Sequence, residues 1–198
     1  MFQPRYFTWN AELAADSLLR RLHSNPSFFT SFRWDSDFAH DPNWSVVPLY
    51  LNPQWAVDHM HTFEHPLAFL GKGLFADALN SNAAAKFTDA YAFLRDFIGT
   101  GLINYIGVSV LPANTSLNPH LHPNPGNLKL HSAIHCPPGC GLLHSDGDHC
   151  YQHTWLTTNC SVFFDDNFTH SAWNHSHSTR YVLIFDFKSS LITSPVLD

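Results

Sequence analysis

The chain has 198 residues, 44% of them hydrophobic, and a formal net charge of −6 at pH 7. That suits one globular domain with a substantial core and argues against two full domains. With only 10 Lys+Arg and no basic block, nucleic acid and anionic membranes are poor partners. The opening "MFQPRYFTWN" lacks the charged and apolar regions of a signal peptide. The longest apolar stretch, "FIGTGLINYIGVSVL", is too short and mixed to span a bilayer, so a cytoplasmic location is expected.

The first half reads as helical. In "AELAADSLLRRLHS", Ala14, Leu18 and Leu22 form one apolar stripe with Ala15 and Leu19 beside it, and Asn10 is a natural N-cap. "WSVVPLYLN" is β-branched and aromatic, a strand that Pro48 pushes toward a sheet edge. A further helix is expected from Pro66 to Leu79. In "AKFTDAYAFLRDFIG", Phe87, Ala90, Tyr91, Leu94, Phe97 and Ile98 share a helical face, and Gly99 closes the run.

After Gly99 the texture changes to short extended segments set apart by Pro, Gly, Asn and Asp. These are "INYIGVSVL", "NLKLHSAIH", "GCGLLH", "HTWLTT", "CSVFFDD" and "RYVLIFDF". Both alternating sets of "YVLIFDF" are largely apolar, as in a strand buried on both faces. The regular spacing predicts a jelly roll or sandwich. The expected fold is therefore mainly β with helices, one domain over 1–198. A helical layer over 1–99 packs on a β-sandwich core over 100–190.

Histidine is the outlier of the composition, 15 residues with most of them beyond residue 119. "NPHLHPNPGNLKLH" holds His120, His122 and His131. On an extended strand, residues two apart face the same way, so His120 and His122 present two imidazoles to one point. Neutral imidazole suits iron, copper, nickel and zinc. Fifty residues on, "FFDDNFTHSAWN" supplies His170 just past a strand and turn, and Arg180 opens the last apolar strand.

The landmarks "SVLPANTSLNPHLHPNPGNLKLH", "FFDDNFTHSAWN" and "RYVLIFDF" resemble the aspartyl/asparaginyl β-hydroxylase family of Fe(II)/2-oxoglutarate oxygenases, built on a double-stranded β-helix (jelly roll, cupin-like). They cover a little under half of the chain. Ser109 lies eleven residues before His120, Lys129 nine after it and His131 eleven after it. His170, Trp173 and Arg180 follow at the family's relative spacings.

The resemblance implies that His120 and His170 bind iron and that Arg180, with Ser109, holds the distal carboxylate of 2-oxoglutarate. A buried carboxylate needs such a charged, bidentate partner. Lys129 and His131 would face the acidic end of the co-substrate or an acidic substrate. Trp173 is expected to pack under the site. Asp165 and Asp166 are expected to form the turn before the second ligand. The implied reaction uses O2 and 2-oxoglutarate to hydroxylate a C–H bond, releasing succinate. The implied substrate is a small molecule, amino-acid-like compound or peptidyl Asp/Asn-like group.

Two departures from the family pattern stand out. The family has Gly where this chain has His122, and Arg where it has Lys129. With His122 as a third ligand the site would carry three neutral imidazoles, copper would enter as an alternative to iron, and 2-oxoglutarate could be dispensable. That defines a rival, a three-histidine dioxygenase or oxidase working without 2-oxoglutarate. A second rival is a non-catalytic metal-binding β-sandwich. The segment "HCPPGCGLLHSDGDHC" adds a candidate structural zinc site from Cys136, Cys140, His144, His149 and Cys150, weighed against ordinary free thiols. His135, His153, His175 and His177 are candidates, with His144 and His149, for the mouth of the pocket.

Overall fold

The computed structural model describes residues 5–8, 44–52, 101–121, 128–155 and 160–188. The helices expected over 11–24, 66–79 and 85–99 lie outside these residues, as does His122. Among the described residues ten strands follow in chain order. They are β1 (Arg5–Thr8), β2 (Ser45–Leu51), β3 (Ile103–Leu111), β4 (Thr115–His120), β5 (Leu128–His135), β6 (Cys140–Ser145), β7 (Cys150–Thr154), β8 (Cys160–Asp165), β9 (Thr169–Asn174) and β10 (Arg180–Phe187).

They form two antiparallel sheets, a six-stranded one in the order β1-β8-β5-β10-β3-β2 and a four-stranded one in the order β4-β9-β6-β7. The predicted sandwich is what forms, and its strand-rich, jelly-roll-like core matches expectation. β3 and β10 are buried along their whole length, as their continuous apolar runs require of central strands. β2 is an edge strand, and its register slips between Pro48 and Tyr50, where the proline cannot donate to the ladder.

The facing inner surfaces make the core. Ala133, Val162, Phe164, Val182 and Ile184 come from the large sheet, and Cys140, Leu142 and Ala172 from the small one, with Trp155 closing the end. In β9 the alternation is visible residue by residue, with His170, Ala172 and Asn174 buried and Thr169, Ser171 and Trp173 more exposed. Between β5 and β6 the chain reverses at Gly139, whose φ of +98° excludes most side chains, and Gly139 O accepts from the His175 backbone N–H at 3.1 Å. No helix among the described residues is long and apolar enough to cross a membrane.

Candidate active site

Register places the chemistry. His120 on β4 pairs directly with His170 on β9, although the two lie fifty residues apart. Their rings meet edge to face with centroids 4.4 Å apart. Each ring is oriented in the same way. His120 Nδ1 lies 2.7 Å from the carbonyl of Asn118, and His170 Nδ1 lies 3.1 Å from the carbonyl of Phe168. A carbonyl only accepts, so both rings carry their proton on Nδ1 and keep Nε2 as the basic nitrogen, the arrangement of a metal-binding imidazole.

The carboxylate of Asp166 stands beside this pair. It is 1% exposed, and its Oδ1 is 3.6 Å from His170 Nε2. With Nδ1 turned to a carbonyl, Nε2 and this carboxylate oxygen face one another and can share either a proton or a cation. Among the described residues Asp166 Oδ1 has no hydrogen-bond donor. Its partner is Lys129, whose Nζ lies 3.3 Å from Asp166 Oδ2 and 2.8 Å from Asp186 Oδ2.

Lys129 pairs across strands with Asp186 on β10, and Asp186 also accepts from Asn104 at 3.5 Å. One ammonium between two carboxylates leaves a net negative charge turned toward the histidines. Burial opposes the charge on Lys129, but Asp166 and Asp186 outweigh it and raise its pKa. The lysine implied as a cation for the co-substrate is thus already held by two aspartates.

Asp165 and Asp166 part company here. Asp165 makes the expected turn, its Oδ1 accepting from the backbone N–H of Asn167 at 3.0 Å and its side-chain amide at 2.7 Å. Asp166 instead turns inward to line the cavity. Trp173 packs, but on the far face of the small sheet from His170. Its indole covers Gly141, where a Cβ would overlap the ring.

Arg180 lies in the same cavity as His120, His170, Asp166 and Ser109. It is 1% exposed, and among the described residues its Nη1 reaches only two carbonyl oxygens, of Gly141 at 3.2 Å and Trp173 at 3.5 Å. Its guanidinium carbon sits 5.9 Å from the Trp155 ring, and among the described residues Nε has no hydrogen-bond partner. Burial lowers its pKa, yet an arginine keeps its charge in a protein. Among the described residues no carboxylate pairs with this buried cation, a costly arrangement that an entering anion would relieve.

Ser109 Oγ accepts from the indole N–H of Trp44 at 2.9 Å. His131 also lines the cavity, with Nδ1 unpartnered among the described residues, its ring against Phe164 at 5.0 Å and its pKa pushed well down by burial and by Arg180. Tyr105 lies across Gly107, which has no side chain to obstruct it.

Trp44 and Tyr105 escaped sequence reading, because each meets the site through contacts with no local pattern. The proposed zinc ligands disperse. Cys140 donates to Asn174 Oδ1 at 3.2 Å, His144 Nε2 bonds the Asp165 carbonyl at 3.1 Å, and Cys150 is exposed. Among the described residues no group of three or more His, Cys, Asp or Glu is arranged to hold a metal. His135, His149, His175 and His177 are exposed and do not line the cavity, while His144 and His153 are buried.

A jelly-roll sandwich with paired imidazoles at one part of its cavity and a buried arginine at another has the architecture of the non-haem metal-dependent oxygenases. The aspartyl/asparaginyl β-hydroxylase family model matches residues 15–190, and the chain belongs to that family. It is thus an oxygenase of the 2-oxoglutarate/Fe(II) hydroxylase type, for which Fe(II), 2-oxoglutarate and O2 are the implied cofactors.

Among solved structures, the chain is similar to a Pseudomonas putida prolyl-4-hydroxylase (13% identity, TM-score 0.52, covering 93% of this chain and 91% of that one). It is also similar to SnoN, a non-haem α-ketoglutarate-dependent epimerase from nogalamycin biosynthesis (14% identity, TM-score 0.52, covering 93% and 76%). At that identity the likeness is one of fold. A comparison with curated proteins finds no match.

Proposed function

We propose that the chain hydroxylates a C–H bond of an amino-acid-like small molecule or a peptidyl Asp/Asn-like group, with His120 and His170 holding Fe(II) through Nε2. The donor set supports this. Two neutral imidazoles leave most metal positions for a bidentate 2-oxo acid, O2 and water. The nearby Asp166 offsets part of the metal's charge. Bound Fe(II) supplies the coupling of 2-oxoglutarate decarboxylation to substrate oxidation.

The chain's own work is positioning. Arg180 and Ser109 bind the distal carboxylate, His131 offers Nδ1 on the same cavity wall, and the buried Lys129–Asp186 pair keeps Asp166 in place. The observation that carries the reading is Arg180, a fully buried guanidinium with two carbonyl contacts and, among the described residues, no counter-ion. A dicarboxylic co-substrate meets that need. The three-histidine rival rests on His122, and it leaves Arg180 without an anion unless the substrate carries one.

The test loads anaerobic protein with Fe(II), adds 2-oxoglutarate and records the weak visible metal-to-ligand charge-transfer band, then admits air and assays succinate. Band and succinate are expected in the wild type, and both are expected to vanish at the same 2-oxoglutarate concentration in Arg180→Ala. Metal-retaining wild type that gives neither, or an Arg180→Ala protein that matches wild type, overturns the reading.

A further inference from the structure

Lys129 is the residue that the family resemblance assigns to an acidic end, and the fold engages it elsewhere. Its Nζ lies 3.3 Å from Asp166 Oδ2 and 2.8 Å from Asp186 Oδ2, and both carboxyl groups are almost fully buried. An ammonium held between two buried carboxylates has no charge left for a third. Arg180 is the other cation on the cavity wall among the described residues, and the distal carboxylate of the co-substrate claims it. His131 adds no charge, because burial and then Arg180 push its pKa well down.

Strand β3 withholds a further charge by a different device. Tyr105, Gly107 and Ser109 alternate onto one face of the strand. At Gly107 a Cβ would overlap the Tyr105 ring, so the phenol fills the place of a side chain there and itself lines the cavity. Burial and then Asp186 raise the Tyr105 pKa, and the phenol keeps its proton. The wall is therefore neutral at a position where another residue could have carried a charge.

The loaded site balances its own charge. Fe(II) brings two positive charges to two neutral imidazoles, and 2-oxoglutarate brings two negative ones. Arg180 and Lys129 match Asp166 and Asp186. We propose that the substrate presents an uncharged end to the metal, an amide or an aliphatic group, and that carboxylates and ammonium groups are rejected there. This rests on the 2-oxoglutarate reading of the site and narrows its substrate class. A charged end would enter the cavity without a partner, and an unpaired buried charge is costly. An uncharged end meets the phenol of Tyr105 and the apolar side chains of Leu117, Leu142 and Ile184.

The experiment uses the full chain loaded with Mn(II) and saturated with 2-oxoglutarate, with the Zn(II)-loaded protein as the diamagnetic blank. The probes are the N-acetyl amides of L-aspartate, L-asparagine, L-leucine and L-2,4-diaminobutyrate, whose side chains are close in size and differ in charge. Paramagnetic relaxation of the probe protons reports binding beside the metal without turnover. Relaxation of the 2-oxoglutarate methylene protons reports the co-substrate in the same sample. Asp186→Asn is measured alongside, because Asp186 is not among the residues lining the cavity and the change alters charge while keeping size. Asp166→Asn makes the same change of charge from the wall itself.

In wild type the asparagine and leucine probes are expected to bind at least about tenfold more tightly than either charged probe. Removing one negative charge in Asp186→Asn or Asp166→Asn should strengthen the aspartate probe and weaken the diaminobutyrate probe. An aspartate or diaminobutyrate probe that matches the uncharged ones in wild type overturns the proposal, as does the absence of binding by all four. So does an unchanged order in whichever of the two variants folds. Wild type in which the 2-oxoglutarate protons show no relaxation by Mn(II) overturns the co-substrate reading itself, a result distinct from the others.

Discussion

The identity of residue 129 decides how charge is arranged beneath the histidines. Lys129 Nζ sits between Asp186 at 2.8 Å and Asp166 at 3.3 Å, and both aspartates are almost fully buried. A point charge with three donors can bridge two carboxylates in this way, whereas arginine's planar fork favours one bidentate partner. Replacing Lys129 by Met should cost about 3–5 kcal/mol, because it strands buried carboxylates without a cation. Lys129→Arg keeps the charge and should cost much less. Urea unfolding of the two variants checks this, and equal stability of Lys129→Met and wild type would show that the bridge carries no stability. The same geometry separates Asp165 from its neighbour. The two residues look alike in sequence, but strand alternation at the end of β8 sends one to the turn and the other into the cavity. No local pattern announces which is which.

Elements are held in register by a single buried amide. Asn174, at the end of β9, places Nδ2 within 2.9 Å of the carbonyls of Leu111, Pro112 and Ser178. Its Oδ1 accepts from the Ser176 hydroxyl at 2.6 Å, the Ser176 backbone N–H at 3.1 Å and the Cys140 thiol at 3.2 Å. It thereby ties the β3–β4 turn, the start of β6 and the turn before β10 to one point. Asn174→Ala leaves several of these groups unsatisfied and should cost about 3 kcal/mol. A urea midpoint that falls with no change in slope would report that loss, and a midpoint within error of wild type would show the hub to be dispensable. Strands differ in how visible they are to a sequence reader, for physical reasons. β3 and β10 are apolar on both faces and so stand out, and Pro48 marks β2 as an edge. β4 carries Pro119 and mostly polar residues, and in β9 the two apolar residues, Ala172 and Trp173, point to opposite faces, so neither shows a strand's usual alternation. The His120, His170 and Arg180 spacings were legible. The cross-strand partners were not, because Trp44 reaches Ser109 across 65 residues.

At the scale of the whole molecule, buried imidazoles make stability depend on pH. Burial, with Arg180 adding to it, lowers the pKa of His153 from 6.5 to about 4. Burial first and then Arg180 push His131 well down, and burial lowers His144. Each of these groups binds its proton more readily in the unfolded chain. Stability is therefore fully present above about pH 6.5 and is lost as pH falls toward the folded-state values. Asp186 runs the other way, since burial raises its pKa above 3.8, but one carboxyl opposes three imidazoles. For His153 alone the loss by pH 4 amounts to about 3 kcal/mol, taking 1.36 kcal/mol per unit. On the alkaline side the signs reverse. Lys129 and Tyr105 both keep their protons more tightly when folded, so stability should decline again once pH exceeds about 10. Thermal melts with a chelator present, so that metal release contributes nothing, should show a plateau near neutral pH and a falling midpoint from pH 6.5 to 4.5. His153→Gln removes one titrating group next to Arg180 and should flatten the acid limb while leaving the alkaline limb in place. An acid limb of unchanged slope in that variant would remove His153 from the account, and a wild-type midpoint constant from pH 7 to 4.5 would remove the buried imidazoles altogether.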